Sequence, residues 1–121
     1  MCHHNCFAKL FDVFENEDSI FLVLEYLKGG DLYDYLLTRN FKIGEKRVQE
    51  ISYHITSGIK YLHDLGMIHR DLKLENIMMT DTSDTALPKI VDFGLAMFLG
   101  PGCYANDPFG TAGYVAPEIF Q

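Results

Sequence analysis

Two β-favouring apolar runs open the chain at residues 7–14 and 19–25, and the polar string Glu15-Asn16-Glu17-Asp18 divides them. Apolar runs flanking a four-residue polar break predict an antiparallel hairpin. Gly29-Gly30 then interrupts the chain, and Asp31 is placed to cap a short helix carrying Leu32, Tyr35 and Leu36. Over residues 45–65, apolar side chains recur at Val48, Ile51, Ile55, Ile59 and Leu62. Those steps of 3, 4, 4 and 3 predict a helix, with Gly66 as its stop. Residues 77–79 and 89–91 are short strand candidates around the polar connector 80–84. Residues 94–121 are rich in Gly, Pro and Ala without a clean period, which predicts one long loop. Such loops in compact domains are usually functional.

Composition narrows the partners. The 121 residues are 48% hydrophobic, which suits one domain or a part of one and argues against disorder. Ten Lys+Arg against 17 Asp+Glu give a net charge of −7, arguing against nucleic acid or an anionic membrane as the main partner. The longest apolar run, Ile20–Leu24, is far too short to span a bilayer. No apolar stretch of a signal peptide follows Met1. Cys2, Cys6 and Cys103 cannot all pair within the chain, which favours a reducing compartment, and a cytoplasmic location is expected. The clump Cys2-His3-His4-x-Cys6 lacks two separated ligand pairs, so it reads as an ordinary terminal segment rather than a zinc site.

The chemistry concentrates in MIHRDLKLENIMM, residues 67–79, which packs His69, Arg70, Asp71, Lys73, Glu75 and Asn76 between apolar residues. Charged loops are normally just solvated, but Ile68 on one side and Ile77-Met78 on the other pin this one to a core. Val91-Asp92-Phe93-Gly94 follows, with Asp92 twenty-one residues after Asp71, and Ala116-Pro117-Glu118 lies further on.

His69-Arg70-Asp71-Leu72 with Asn76, then Asp92-Phe93-Gly94, then Ala116-Pro117-Glu118 resembles the eukaryotic protein kinase family in motif and order. Lys73 resembles the serine/threonine branch, and Lys73-Leu74-Glu75-Asn76 with Gly110-Thr111-Ala112-Gly113-Tyr114 looks most like calcium/calmodulin-kinase-like or AMP-kinase-like enzymes. The resemblance implies an α+β, bilobal kinase fold in truncated form: residues 1–25 as a hairpin of the N-lobe, 26–31 as the hinge, and 32–121 as the first part of the C-lobe. It implies ATP and Mg²⁺ as cofactors and a protein substrate with a Ser or Thr acceptor.

By that resemblance Asp71 orients the acceptor hydroxyl and takes its proton. Lys73 neutralises charge on the transferred group, and Thr111 bonds both and floors the substrate site. Asn76 and Asp92 supply the hard oxygens that Mg²⁺ prefers. Phe93 stacks near His69 so that Asp92 faces the site, with Gly94 at the turn and Glu118 as a structural carboxylate. Residues 22–31 resemble the last N-lobe strand running into the hinge. Leu24 is then the gatekeeper, Glu25 C=O and Leu27 N–H bond adenine, Asp31 reaches the ribose, and Met78 and Val91 line the apolar floor. Asp31 and Glu75 would favour basic residues upstream of the acceptor.

Arg70 beside the catalytic Asp implies an anchored activation loop. Asp107, four residues before Thr111, is expected to pair with Arg70 in place of a phosphate, or else merely to start a turn with Pro108. The family's Gly-rich loop, its N-lobe Lys and its helical Glu are not found in these residues. The expectation is therefore a serine/threonine kinase by family whose 121-residue chain is inactive alone. The alternative is a catalytically inactive, kinase-derived interaction module.

Overall fold

A computed structural model describes residues 4–100, 102–105 and 107–120. The element order is β1 (Leu10–Glu15), β2 (Ile20–Leu24), α1 (Leu32–Leu37), α2 (Glu45–Asp64), β3 (Met67–Ile68), a 3-10 turn (Leu74–Asn76), β4 (Ile77–Met79), β5 (Pro88–Ile90), β6 (Met97–Phe98) and a second 3-10 turn (Pro117–Phe120). The content is mixed helix and strand. The strands form three separate two-stranded antiparallel ladders, β1–β2, β3–β6 and β4–β5.

The expected hairpin forms, but it starts later than the apolar run. Asn16 closes its turn: the side-chain Oδ1 accepts from the amides of Asp18 (3.0 Å) and Ser19 (2.8 Å). Phe7 leaves the hairpin because the chain before β1 pairs elsewhere. It bridges Ile90 in parallel, and the Ile90 amide donates to Cys6 O at 2.7 Å. Phe7 is thereby buried, whereas the β2 side chains are all exposed.

α1 is capped as expected, Asp31 Oδ1 accepting from the Asp34 amide at 2.8 Å. α2 follows the apolar stripe: Ile51 and Leu62 are buried and Ile55 and Ile59 are half-buried, but Val48 is exposed in the first turn. Gly66 takes φ +70° just past its end. Midway along α2, Gly58 meets the incoming chain; a Cβ there would lie 2.7 Å from Cys6 Cβ. Only glycine lets the helix approach this closely.

Two buried clusters result. Leu32, Tyr35, Ile51, Ile77, Met79 and Ala86 form one, and Cys6, Phe7, Leu62 and Ile90 the other; Ile55 and Leu72 pack against both. Burial pushes the Cys6 thiol up from its ordinary value, and its sulfur faces Pro88 O at 3.8 Å. Of the terminal Cys/His clump, Cys2 and His3 lie outside the described residues. His4 is occupied structurally, Nδ1 accepting from the Cys6 amide (3.1 Å) and Nε2 meeting Ser57 Oγ (3.2 Å).

Residues 94–121 are not one long loop. Met97-Phe98 pairs with Met67-Ile68, and the Leu99 amide donates to Gly66 O at 2.6 Å. A two-residue ladder has no period to read, so the pairing partner decides it. Among the described residues, no helix is long and apolar enough to cross a membrane.

Candidate active site

The β4–β5 ladder aligns the chemistry. Ile77 pairs with Ile90, and one step beyond the ladder the Val91 amide donates to Asn76 O at 3.0 Å. Asn76 therefore stands opposite Val91, the residue before Asp92. Asn76 is buried, and its Nδ2 spends both hydrogens on Asp71, at 2.9 Å to the carbonyl and 3.0 Å to Oδ2. That leaves Asn76 Oδ1 without a protein donor among the described residues.

Asp71 is the hub. Thr111 Oγ1 donates to its Oδ1, Lys73 Nζ sits 3.2 Å from Oδ2, and Lys73 Nζ also donates to Thr111 Oγ1 at 2.7 Å. Lysine, threonine and aspartate thus close a triangle across forty residues of sequence. The Thr111 hydrogen bond holds the Asp71 carboxyl below its ordinary value; burial opposes this, and Lys73 and Asn76 add to it.

His69 ties the two motif loops together. Its Nδ1 accepts from the Asp71 amide at 3.3 Å, which assigns the Nε2 hydrogen to Val91 O at 3.0 Å. The Phe93 ring meets His69 edge-on, with centroids 5.2 Å apart. Arg70 and Asp92 both adopt left-handed backbone, φ +68° and +60°. Each such conformation costs on the order of 1–3 kcal/mol and persists only where neighbours hold it. Asp92 is exposed, its Oδ1 accepting from the Gly94 amide at 3.2 Å.

The expected Arg70–Asp107 pair is not made. Arg70 Nε donates to Leu95 O, and its guanidinium lies over the Phe109 ring, 4.4 Å from the centroid. Asp107 instead starts a turn, its carbonyl accepting from the Phe109 amide at 3.0 Å. Phe109 has no sequence signal, since a phenylalanine among Gly and Pro carries no period. Glu75 is exposed and accepts from Tyr114 Oη at 3.3 Å, and Glu118 is exposed in the second 3-10 turn.

At the other end, Leu27 is buried, and neither its N–H nor Glu25 C=O has a protein partner among the described residues. The Glu25 side chain does unforeseen work. It accepts from buried Lys89 Nζ at 2.9 Å and from the Lys9 amide at 3.1 Å. Burial raises the Glu25 carboxyl, but Lys89 and Lys9 outweigh it and hold it below its ordinary value. Asp31 caps α1 and bridges Met78. A cleft of about 1080 Å³ runs past Leu24, Val91, Asp92 and Phe93, but Asp71 and Asn76 do not line it.

The protein kinase domain family matches residues 1–121. The chain belongs to the protein kinase family. Its relatives include CDPK-related kinase 4 of Arabidopsis thaliana, 39% identical over 98% of this chain and 20% of that protein. A probable serine/threonine-protein kinase 2 of Plasmodium falciparum is 42% identical over 98% of this chain and 23% of its own length. Calcium/calmodulin-dependent serine/threonine-protein kinase 1 of rice is 36% identical, again over 98% of this chain and 20% of that protein. The chain thus spans about a fifth of the length of those relatives. Its likeness is to serine/threonine kinases of the CDPK-related and calmodulin-dependent kinds.

Proposed function

We propose that these residues carry the phosphoryl-transfer side of an ATP-dependent serine/threonine protein kinase, with the hairpin in an N-lobe, residues 26–31 as hinge and the remainder in a C-lobe. The observation that carries this reading is the closed network Lys73–Thr111–Asp71–Asn76, with Asp92 following the residue that pairs with Asn76. One Asp71 oxygen is fixed by Thr111 and the other by Lys73 and Asn76, so the carboxylate is oriented and kept ionised. An ionised, oriented carboxylate can accept the proton of a Ser or Thr hydroxyl as that oxygen attacks the γ-phosphorus. Lys73, anchored on both neighbours, places a positive charge beside the transferred group.

The donor set fits Mg²⁺. Asn76 Oδ1 has no protein donor, and only one Asp92 oxygen is engaged, so two hard oxygens on adjacent strand ends are available. Bound there, Mg²⁺ would supply charge neutralisation on phosphate oxygens. Glu25 C=O and Leu27 N–H offer adenine an acceptor and a donor, with Leu24 as gatekeeper, Met78 and Val91 beneath, and Asp31 toward the ribose. Glu75 and Asp31 would attract basic residues upstream of the acceptor.

The test is γ-phosphate transfer from ATP·Mg²⁺ to Ser/Thr peptides by the full-length protein. Asp71→Asn should lower kcat by about 10²–10⁴-fold while nucleotide affinity stays within about twofold. Asp92→Ala should instead damage Mg²⁺-dependent nucleotide binding. Equal loss of nucleotide affinity in both variants would overturn this division of roles.

A further inference from the structure

We propose that Phe109 is a positioning residue: its ring clamps the Arg70 guanidinium and thereby holds Thr111 on the Asp71 carboxylate. The proposal rests on the kinase reading for its consequence, but its geometry stands on three successive contacts between two short segments. Phe109 stacks on the Arg70 side chain at 4.4 Å. Gly110 passes the Arg70 carbonyl, where an added Cβ would lie 3.5 Å from Arg70 O and 2.7 Å from Val115 Cγ2. Thr111 then bonds Asp71. Residues 109–111 thus lie against residues 70–71.

The clamp is well built for the task. A guanidinium over an aromatic face is attracted by the ring quadrupole, and the plane of contact fixes orientation as well as distance. Arg70 cannot swing away freely, because Nε is held by Leu95 O. The guanidinium therefore joins three parts of the chain: the catalytic loop that carries it, Leu95 just past Gly94, and Phe109 two residues before Thr111. No carboxylate pairs with Arg70 among the described residues, so the ring is the contact that ties it to the Thr111 segment. The two hydrogen bonds of Thr111, to Asp71 and from Lys73, fix its hydroxyl but not the segment that leads to it. With Phe109 docked, the segment presents that hydroxyl in place.

The test compares Phe109→Leu, Phe109→Tyr and Arg70→Gln in the full-length protein by amide hydrogen exchange over residues 109–114 and by steady-state kinetics. Phe109→Leu and Arg70→Gln should each speed exchange in that segment at least about tenfold. The double variant should add little beyond either single change, since both remove one contact. Kinetically, Phe109→Leu should lower kcat on the order of tenfold with the ATP KM within about twofold, whereas Phe109→Tyr, which keeps a ring face, should retain wild-type values.

A loss of melting temperature without that split, or additive effects of the two single changes, would overturn the clamp. So would unchanged exchange in Phe109→Leu. A wild-type protein that shows the exchange pattern but transfers no phosphate would retain the clamp and overturn the kinase reading instead.

Discussion

Lys73 Nζ donates to Thr111 Oγ1 at 2.7 Å, and this leaves the Thr111 hydrogen for Asp71 alone. A hydroxyl that accepts from an ammonium becomes a better donor, so the ammonium's charge reaches Asp71 both directly and through Thr111. Thr111→Ala removes the relay and leaves Lys73 and Asp71 to pair directly. We expect kcat to fall roughly 10- to 100-fold, with Thr111→Ser within about threefold of wild type, in initial-rate assays on a Ser/Thr peptide.

Asp107 has an exposed side chain, and its carbonyl, not its carboxylate, makes the turn. Asp107→Ala should therefore leave the rate within about twofold, as expected of a surface change away from such features. Phosphatase treatment of the wild type should be equally silent, because Leu95 and Phe109 already engage Arg70. A tenfold loss in either arm would restore an anionic anchor for Arg70.

The Glu25–Lys89 pair sets a pH dependence of stability. Because the folded-state carboxyl lies below its ordinary value, the pair's contribution is full above the unfolded-state pKa of about 4.3. It is lost as pH falls through the lower folded-state value. Glu25→Gln should cost roughly 2–3 kcal/mol at pH 7, less than a fully buried pair because the Glu25 side chain is 25% exposed. The difference in melting temperature between wild type and variant should shrink steadily from pH 5 downward.

Gly29 lies against the main chain of residues 79–81 within the proposed hinge. A Cβ there would overlap Asp81 O and lie 2.6 Å from Met79 Cβ. Neither neighbour is a flexible side-chain end, so the main chain must move. Gly29→Ala should destabilise by about 1–3 kcal/mol in urea unfolding, whereas Gly44→Ala, with open space around it, should have little steric cost.

Much of this arrangement was legible beforehand wherever a local rule operates. The α2 stripe, the Asp31 cap and the polar turn at Asn16 each need only neighbours within a few residues. The motif residues stood out because charge between apolar residues is costly to place without a use. What escaped was non-local. Glu25 and Lys89 are 64 residues apart and look like ordinary surface charges in sequence. Met97-Phe98 is too short to announce a strand. Asp107 is what charge complementarity offers Arg70 in the letters alone, whereas the orientation of the Phe109 ring has no sequence signal.

The β4–β5 ladder works as a ruler. Asn76 and Asp92 sit at its open end, and their separation is set by the strand pairs Ile77–Ile90 and Met79–Pro88, not by the chain that joins the strands at the far end. That far connector is fastened separately, with Arg39 bonded to Thr82 O at 2.9 Å and to Asp84 Oδ1 at 3.0 Å. Residues inserted between Thr82 and Thr85 would loosen this fastening and lower stability, yet leave the spacing of the two oxygens proposed to hold Mg²⁺ untouched. Length variation is thereby confined to a place where the chemistry does not register it.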